Sequence, residues 1–190
     1  MARPRGFDEE QAVEAAMRAF WACGYEGTST QDLCAATGLG RSSIYNAFAG
    51  KHDLYERALR RYMETKNAGV FSVLDGDGTA KEKVRELLDR AIEWPATDPS
   101  GCLVVNTMVE LGPRDEAVAA TLRSDLEQRL GALTATLRAG QLAGEIENRR
   151  DARDLAHFVV ATISGMRVAA RGGADRAALT AIAETALDCL

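Results

Sequence analysis

The sequence predicts an all-α protein: an N-terminal three-helix domain containing a helix-turn-helix, followed by a larger C-terminal helical domain. Three observations predict it. Apolar residues recur at three- and four-residue spacings along most of the 190 residues, and no strand-like alternation competes with them. Ala and Leu are abundant, whereas Pro occurs only four times. Residues 28–51, TSTQDLCAATGLGRSSIYNAFAGK, read as two short helices about a glycine turn, followed by a lysine.

Residues 2–6, ARPRG, are short and basic. Arg3 and Arg5 suit an arm reaching a phosphate or the minor groove, and equally suit a frayed terminus. The first helix is predicted from Asp8 to Cys23. Asp8, Glu9 and Glu10 sit at its positive end, and Val13, Ala16, Met17 and Phe20 form its buried stripe. Gly24 ends it, and Tyr25 should pack under the next hairpin.

Ser29 and Asp32 form a capping pair ahead of apolar Leu33, so a second helix starts there and runs through Cys34 and Ala36. Gly38 stops it, because glycine takes the left-handed conformation that a helix end often needs. Leu39 plugs the turn and Gly40 opens a third helix. Ile44 and Phe48, four apart, dock inward together. That leaves Arg41, Ser42, Ser43, Tyr45 and Asn46 on the outer face, able to hydrogen-bond bases or phosphates. Lys51 follows, placed to meet a phosphate. A solvated helical hairpin would show the same polar face; the matching flanks favour duplex DNA.

The predicted domains are 1–52 and 53–190, joined by a helix over 53–67 in which Leu54, Ala58 and Tyr62 repeat every four residues. Arg57, Arg60 and Arg61 read mainly as a solvated face. DGDGT at 75–79 is a turn, and it lacks the later ligands and terminal Glu of a calcium loop. A helix over Lys81–Trp94 should end at Pro95. Gly101–Leu111, GCLVVNTMVEL, is the most apolar stretch and fits a central buried helix or a buried strand. Asn106 would be a stranded polar group there unless it meets a partner or ligand. A long amphipathic helix follows over Asp115–Ala139, then helices over Asp151–Ala170 and Arg176–Leu190. The last two are rich in small residues. They could build a four-helix interface between two subunits, or pack only within their own.

The net charge of −5 opposes nucleic acid, but its distribution does not. Acidic and basic residues balance over 1–66, and the acidic excess lies in 67–190. Arg3, Arg5, Arg41 and Lys51 are therefore expected on one surface. No run reaches membrane-spanning length and no hydrophobic leader opens the chain, so a cytoplasmic protein without a membrane partner is expected. Cys23, Cys34, Cys102 and Cys189 form no metal spacing with His52 and His157. No nucleophile–base pair or phosphate loop stands out, so neither an enzyme nor a cofactor is expected.

The first 66 or so residues resemble the N-terminal domain of the TetR/AcrR family of transcriptional regulators. The carrying residues are Ala16, Phe20, Gly24-Tyr25, Thr28-Ser29, Asp32-Leu33, Thr37-Gly38-Leu39-Gly40, Ser43 through Phe48, and Lys51 through Leu54. Cys34 departs from the family's usual Ala. The resemblance implies a homodimer with one reading head per subunit and a pseudo-palindromic operator, with heads about 34–36 Å apart. Arg41, Ser42, Ser43, Tyr45 and Asn46 would contact DNA, and Thr28, Thr30 and Lys51 would hold phosphates. The second domain would enclose a small-molecule effector, with Tyr62, Phe71, Trp94, Cys102, Asn106, Val109 and Phe158 as walls and helix 53–67 as the transmitter; taken singly, each of these walls reads better as ordinary core. Gly101-Cys102-Leu103 through Glu110 is also similar to a branch in which some members sense electrophiles through that cysteine. As a thiol near a helix start Cys102 fits this, but its sequence neighbours include no basic activator, and the reading as a small buried hydrophobe is favoured.

Overall fold

The computed structural model describes residues 8–97 and 100–190, which form nine helices and no strand. The head contains α1 (Glu9–Cys23), α2 (Thr30–Thr37) and α3 (Arg41–Phe48). The body contains α4 (Lys51–Leu74), α5 (Ala80–Thr97), α6 (Leu103–Glu110), α7 (Glu116–Leu142), α8 (Ala152–Arg171) and α9 (Arg176–Asp188).

The local signals work as their chemistry requires. Asp8 caps α1 by accepting from the amides of Glu10 and Gln11. Ser29 and Asp32 form the reciprocal capping box of α2. Gly38 closes that helix at φ 69°, donating its amide to the Cys34 carbonyl. Asp115, Asp151 and Asp175 cap α7, α8 and α9 in the same way as Asp8 caps α1.

Two apolar cores result. One packs Phe20, Leu33, Ile44 and Phe48 of the head and Leu54 of α4, all fully buried, with Leu103, Val104 and Leu111 around α6 and Val118 and Leu122 of α7. Burying each large side chain contributes about 1.5–3 kcal/mol. The other joins the end of α4 to α5, the later turns of α7, α8 and α9. The division of the cores therefore does not fall at the expected 52/53 boundary: α6 and the start of α7 pack with the head.

Four expectations change. Helix α4 runs to Leu74 because Val70, Val73 and Leu74 pack on the second core, and tertiary burial overrides the weak helix propensity of this segment. Helix α5 passes Pro95 to Thr97, since a proline this near a helix end removes only one bond. Helix α6 is shorter than expected and not fully buried: Met108 and Val109 are exposed. Helix α7 continues to Leu142. Near that end Gly140 lies against α5, where an added Cβ would stand 2.5 Å from the Ala80 Cβ.

That contact separates two glycines of one helix. Gly131 would place a Cβ in open space, so Gly131→Ala should stabilise by about 0.5–1 kcal/mol through helix propensity. Gly140→Ala should destabilise by about 1–3 kcal/mol through overpacking. Denaturant unfolding of the two variants checks the opposite signs.

Candidate nucleic-acid interface and interior cavity

Helix α3 presents two chemically opposite faces. Ile44 and Phe48 are fully buried, whereas Arg41, Ser42, Tyr45 and Asn46 are exposed and Ser43 is half-buried. The Arg41 guanidinium lies 5.8 Å from the Tyr45 ring centroid, so the two side chains occupy one patch. Gly40 supplies no side-chain cap, and no acidic residue stands in the first turn. The positive end of α3 is therefore left open to an anion such as a phosphate. This contrasts with α1, α2, α7, α8 and α9, whose N-termini carry side-chain caps. Ala49, at φ 49°, turns the chain sharply into α4.

Not every expected phosphate contact is presented. Thr28 is buried and its hydroxyl donates to the Gly24 carbonyl at 2.6 Å, so it fastens the loop instead of facing a phosphate. Thr30 is half-buried at the first turn of α2. Lys51 begins α4 with its Nζ 4.3 Å from the Tyr25 ring centroid. Arg41 and Lys51 thus flank α3 from opposite ends; Arg3 and Arg5 lie outside the described residues. Arg57 departs from a simply solvated role: it donates to Asp53 and Glu9 and lies over the Phe48 ring, tying α1 to the α3–α4 turn.

Helix α6 and its flanks are bonded to the head and to the first turns of α4. At its start, Trp21 Nε1 donates to the Gly101 carbonyl at 2.7 Å. Midway, Thr107 donates to the Leu103 carbonyl, so its oxygen accepts from the Tyr55 hydroxyl at 2.7 Å. Burial pushes the Tyr55 phenol up to about 12, which keeps it a donor. At the end of α6, the Glu110 carboxylate accepts the backbone amides of Tyr25 at 3.0 Å and Glu26 at 2.8 Å. Gly24, at φ 78°, makes room for it: an added Cβ would stand 3.0 Å from a Glu110 oxygen. Beyond α6, Asp115 pairs with His52 at 2.5 Å. These ties join residues far apart in sequence, so helical periodicity gave no sign of them.

Behind α6 lies a cavity of about 220 Å³ between α4, α5, α7 and α8. Of the residues expected as effector walls, Tyr62 and Cys102 line it. Asn106 and Val109 instead line an open cleft of about 560 Å³ facing Trp21 and Arg171, and Phe71 lines a groove between α4 and α7. Phe158 is exposed on α8, and the Trp94 side chain lies outside the described residues. The expected walls divide because α6 is a single short helix, with Val104 against the cavity and Asn106 and Val109 turned to the cleft. Asn106 is not stranded: Arg171 donates to its oxygen at 2.7 Å.

Sequence reasoning missed the cavity's polar wall. Asp125 is buried and accepts from Asn67 at 2.7 Å and from Arg129 at 3.0 Å. Its position three residues after inward Leu122 was the available signal. Arg167 donates to the Cys102 sulfur at 3.4 Å, supplying the basic neighbour that the local sequence lacks. Among the described residues no group of three or more His, Cys, Asp or Glu could hold a metal, and no helix is long and apolar enough to cross a membrane.

Comparison with known proteins follows this division. Residues 12–58 match the family model described as bacterial regulatory proteins, tetR family, and residues 80–186 match the model described as tetracyclin repressor-like, C-terminal domain. The HTH-type transcriptional repressor ComR of Escherichia coli (strain K12) is 34% identical over 188 residues, covering 97% of this chain and 90% of that protein. The HTH-type transcriptional repressor DhaR of Mycobacterium sp. (strain GP1) is 30% identical over 82% of this chain and 78% of its own. A cysteine mutant of the TetR family transcriptional regulator CifR, solved with 26-base-pair double-strand operator DNA, superposes with a TM-score of 0.86 at 33% identity, covering 98% of both chains.

The Asp115 bonds carry a pH prediction. The Val118 amide and then the His52 side chain hold its carboxyl below the usual range. The stability this contributes is present above the ordinary carboxylate value and is lost as pH falls through the lowered folded value. Asp115→Asn keeps the helix cap but removes the charge. Its thermal unfolding should fall below the parent's near neutral pH, and the gap should close in acid.

Proposed function

This chain belongs to the tetR family of bacterial regulatory proteins, and from that premise we propose that it is a ligand-responsive repressor, binding a pseudo-palindromic operator as a homodimer. The observation that carries the proposal is α3, anchored inward by Ile44 and Phe48 and open outward through Arg41, Ser42, Tyr45 and Asn46. In a major groove, Arg41 suits guanine and Asn46 suits adenine, while the uncapped helix start suits a phosphate. Such a target belongs to the cytoplasm. We read 1–52 as the head and 53–190 as the effector and dimer domain. The exposed apolar side chains Phe158, Val168 and Ile182 on α8 and α9 favour a four-helix contact between subunits.

The effector occupies the cavity behind α6. Tyr62 and Met63 of α4, with Cys102 and Val104 around α6, belong both to its wall and to the core shared with the head. A ligand that shifts α6 therefore moves Glu110, and with it the backbone of Tyr25 and Glu26. This adds α6 to α4 as a transmitter. The ligand releases operator only to the extent that it prefers the form whose heads misfit the DNA, a coupling of about 1–3 kcal/mol.

One observation favours a second reading, in which Cys102 is a thiol sensor: Arg167 donates to its sulfur, and it stands at the start of α6. In that case a mild electrophile should label Cys102 ahead of exposed Cys23 and Cys189 and weaken operator binding. Equal labelling of the three with operator binding intact contradicts it.

A gel shift on the DNA upstream of the chain's own gene tests the main proposal. Binding should weaken steeply with salt. Arg41→Ala and Asn46→Ala should each lower affinity by about 1–3 kcal/mol at fixed salt, roughly 5- to 150-fold. Unchanged affinity in both variants removes α3 as the reader.

A further inference from the structure

Building on the reading that the cavity holds the effector, we infer that it selects a compact organic anion: a carboxylate on a small apolar body. The sign of the wall is the first reason. The whole chain carries −5, yet Lys66, Arg90, Arg129 and Arg167 face this space against a single carboxylate, Asp125. Asp125 already accepts from Asn67 and Arg129, so it offers a cationic ligand little. Arg90 is held on the rim by Glu86 and the Gly69 carbonyl.

The second reason is a weakly held donor. The Tyr62 side chain is 1% exposed, and its hydroxyl is set against the Cys102 thiol and the Leu103 backbone without a close hydrogen bond. Burial raises its pKa far above the ordinary phenol value, so it stays a donor. A buried donor held only by a weak acceptor is destabilising, and a carboxylate oxygen relieves that cost. The third reason is Arg167, which donates to the Cys102 sulfur at 3.4 Å. Thiol sulfur is a weak acceptor, and a carboxylate offers the same guanidinium a stronger, charge-assisted bond.

Size and the remaining wall fix the body of the ligand. Val70, Leu87, Leu133, Val160 and Ile163 give an apolar lining that an inorganic anion would leave unfilled. At about 220 Å³ the space falls below the usual range for drug-sized ligands. A single ring or short branched chain fits, and a long acyl chain does not.

The test uses the full-length protein and three probes sharing one ring: benzoate, benzamide and benzylammonium, titrated calorimetrically near neutral pH. Benzoate should bind at least about tenfold tighter than benzamide, with no heat from benzylammonium. Arg167→Met should cut the benzoate advantage to less than about threefold, and Tyr62→Phe should weaken benzoate severalfold. Tyr62→Phe removes one hydroxyl and keeps the ring, so it decides the matter if Arg167→Met fails to fold. Benzamide binding as tightly as benzoate, or no binding by any probe, overturns the inference. Operator affinity measured in parallel separates the two ideas. Benzoate binding without operator release supports the selectivity and overturns the effector role. Benzamide binding tighter than benzoate and causing release overturns the selectivity and leaves the effector role standing.

Discussion

The Glu110 carboxylate, held by the amides of Tyr25 and Glu26, is the contact on which the coupling of head and body depends. Those amides lie in the turn between α1 and α2, and a turn leaves backbone donors that need partners. The partner comes from the end of α6, more than eighty residues away. The orientation of the reading helix is thereby tied to the position of α6. Trp21 on Gly101 repeats the tie to the head, and Tyr55 on Thr107 and His52 on Asp115 fasten the same region to the start of α4. Packing makes the coupling discrete, because a close-packed core changes between arrangements and does not deform smoothly.

Electrostatics divides the labour. Acidic and basic residues balance over 1–66, and the acidic excess lies in 67–190, so the local charge at the exposed face of α3 differs from that of the whole chain. Inside the body the sign reverses again at the cavity, where desolvated arginines and the Tyr62 hydroxyl face apolar walls. Such groups hold a single arrangement only while each has a partner, so an incoming acceptor changes the local balance more than its contact area alone implies.

The fold was legible because its signals are local. Ser29 and Asp32, Gly38, and the Ile44–Phe48 spacing placed the helix-turn-helix correctly, and Asp115, Asp151 and the glycines set later boundaries. An end governed by tertiary packing was missed at Leu74, where burial extends the helix past its propensity. The outer face of α3 was legible for the same local reason, whereas Thr28 was misassigned because its hydroxyl finds a carbonyl within its own loop. The cavity's polar lining was not legible, because Arg167, Arg129 and Asn67 meet there only through the packing of α4, α7 and α8. A charged residue on an inward helical row, such as Asp125, was the one warning the sequence carried.

Hydrogen exchange at two amides tests the coupling most directly. In the parent protein the Tyr25 and Glu26 amides should be protected by Glu110. In Glu110→Ala they should exchange at least about tenfold faster, while amides in the core of α8 keep their protection. Unchanged protection at Tyr25 and Glu26 in that variant would contradict the account, because the head would then hold its turn without α6.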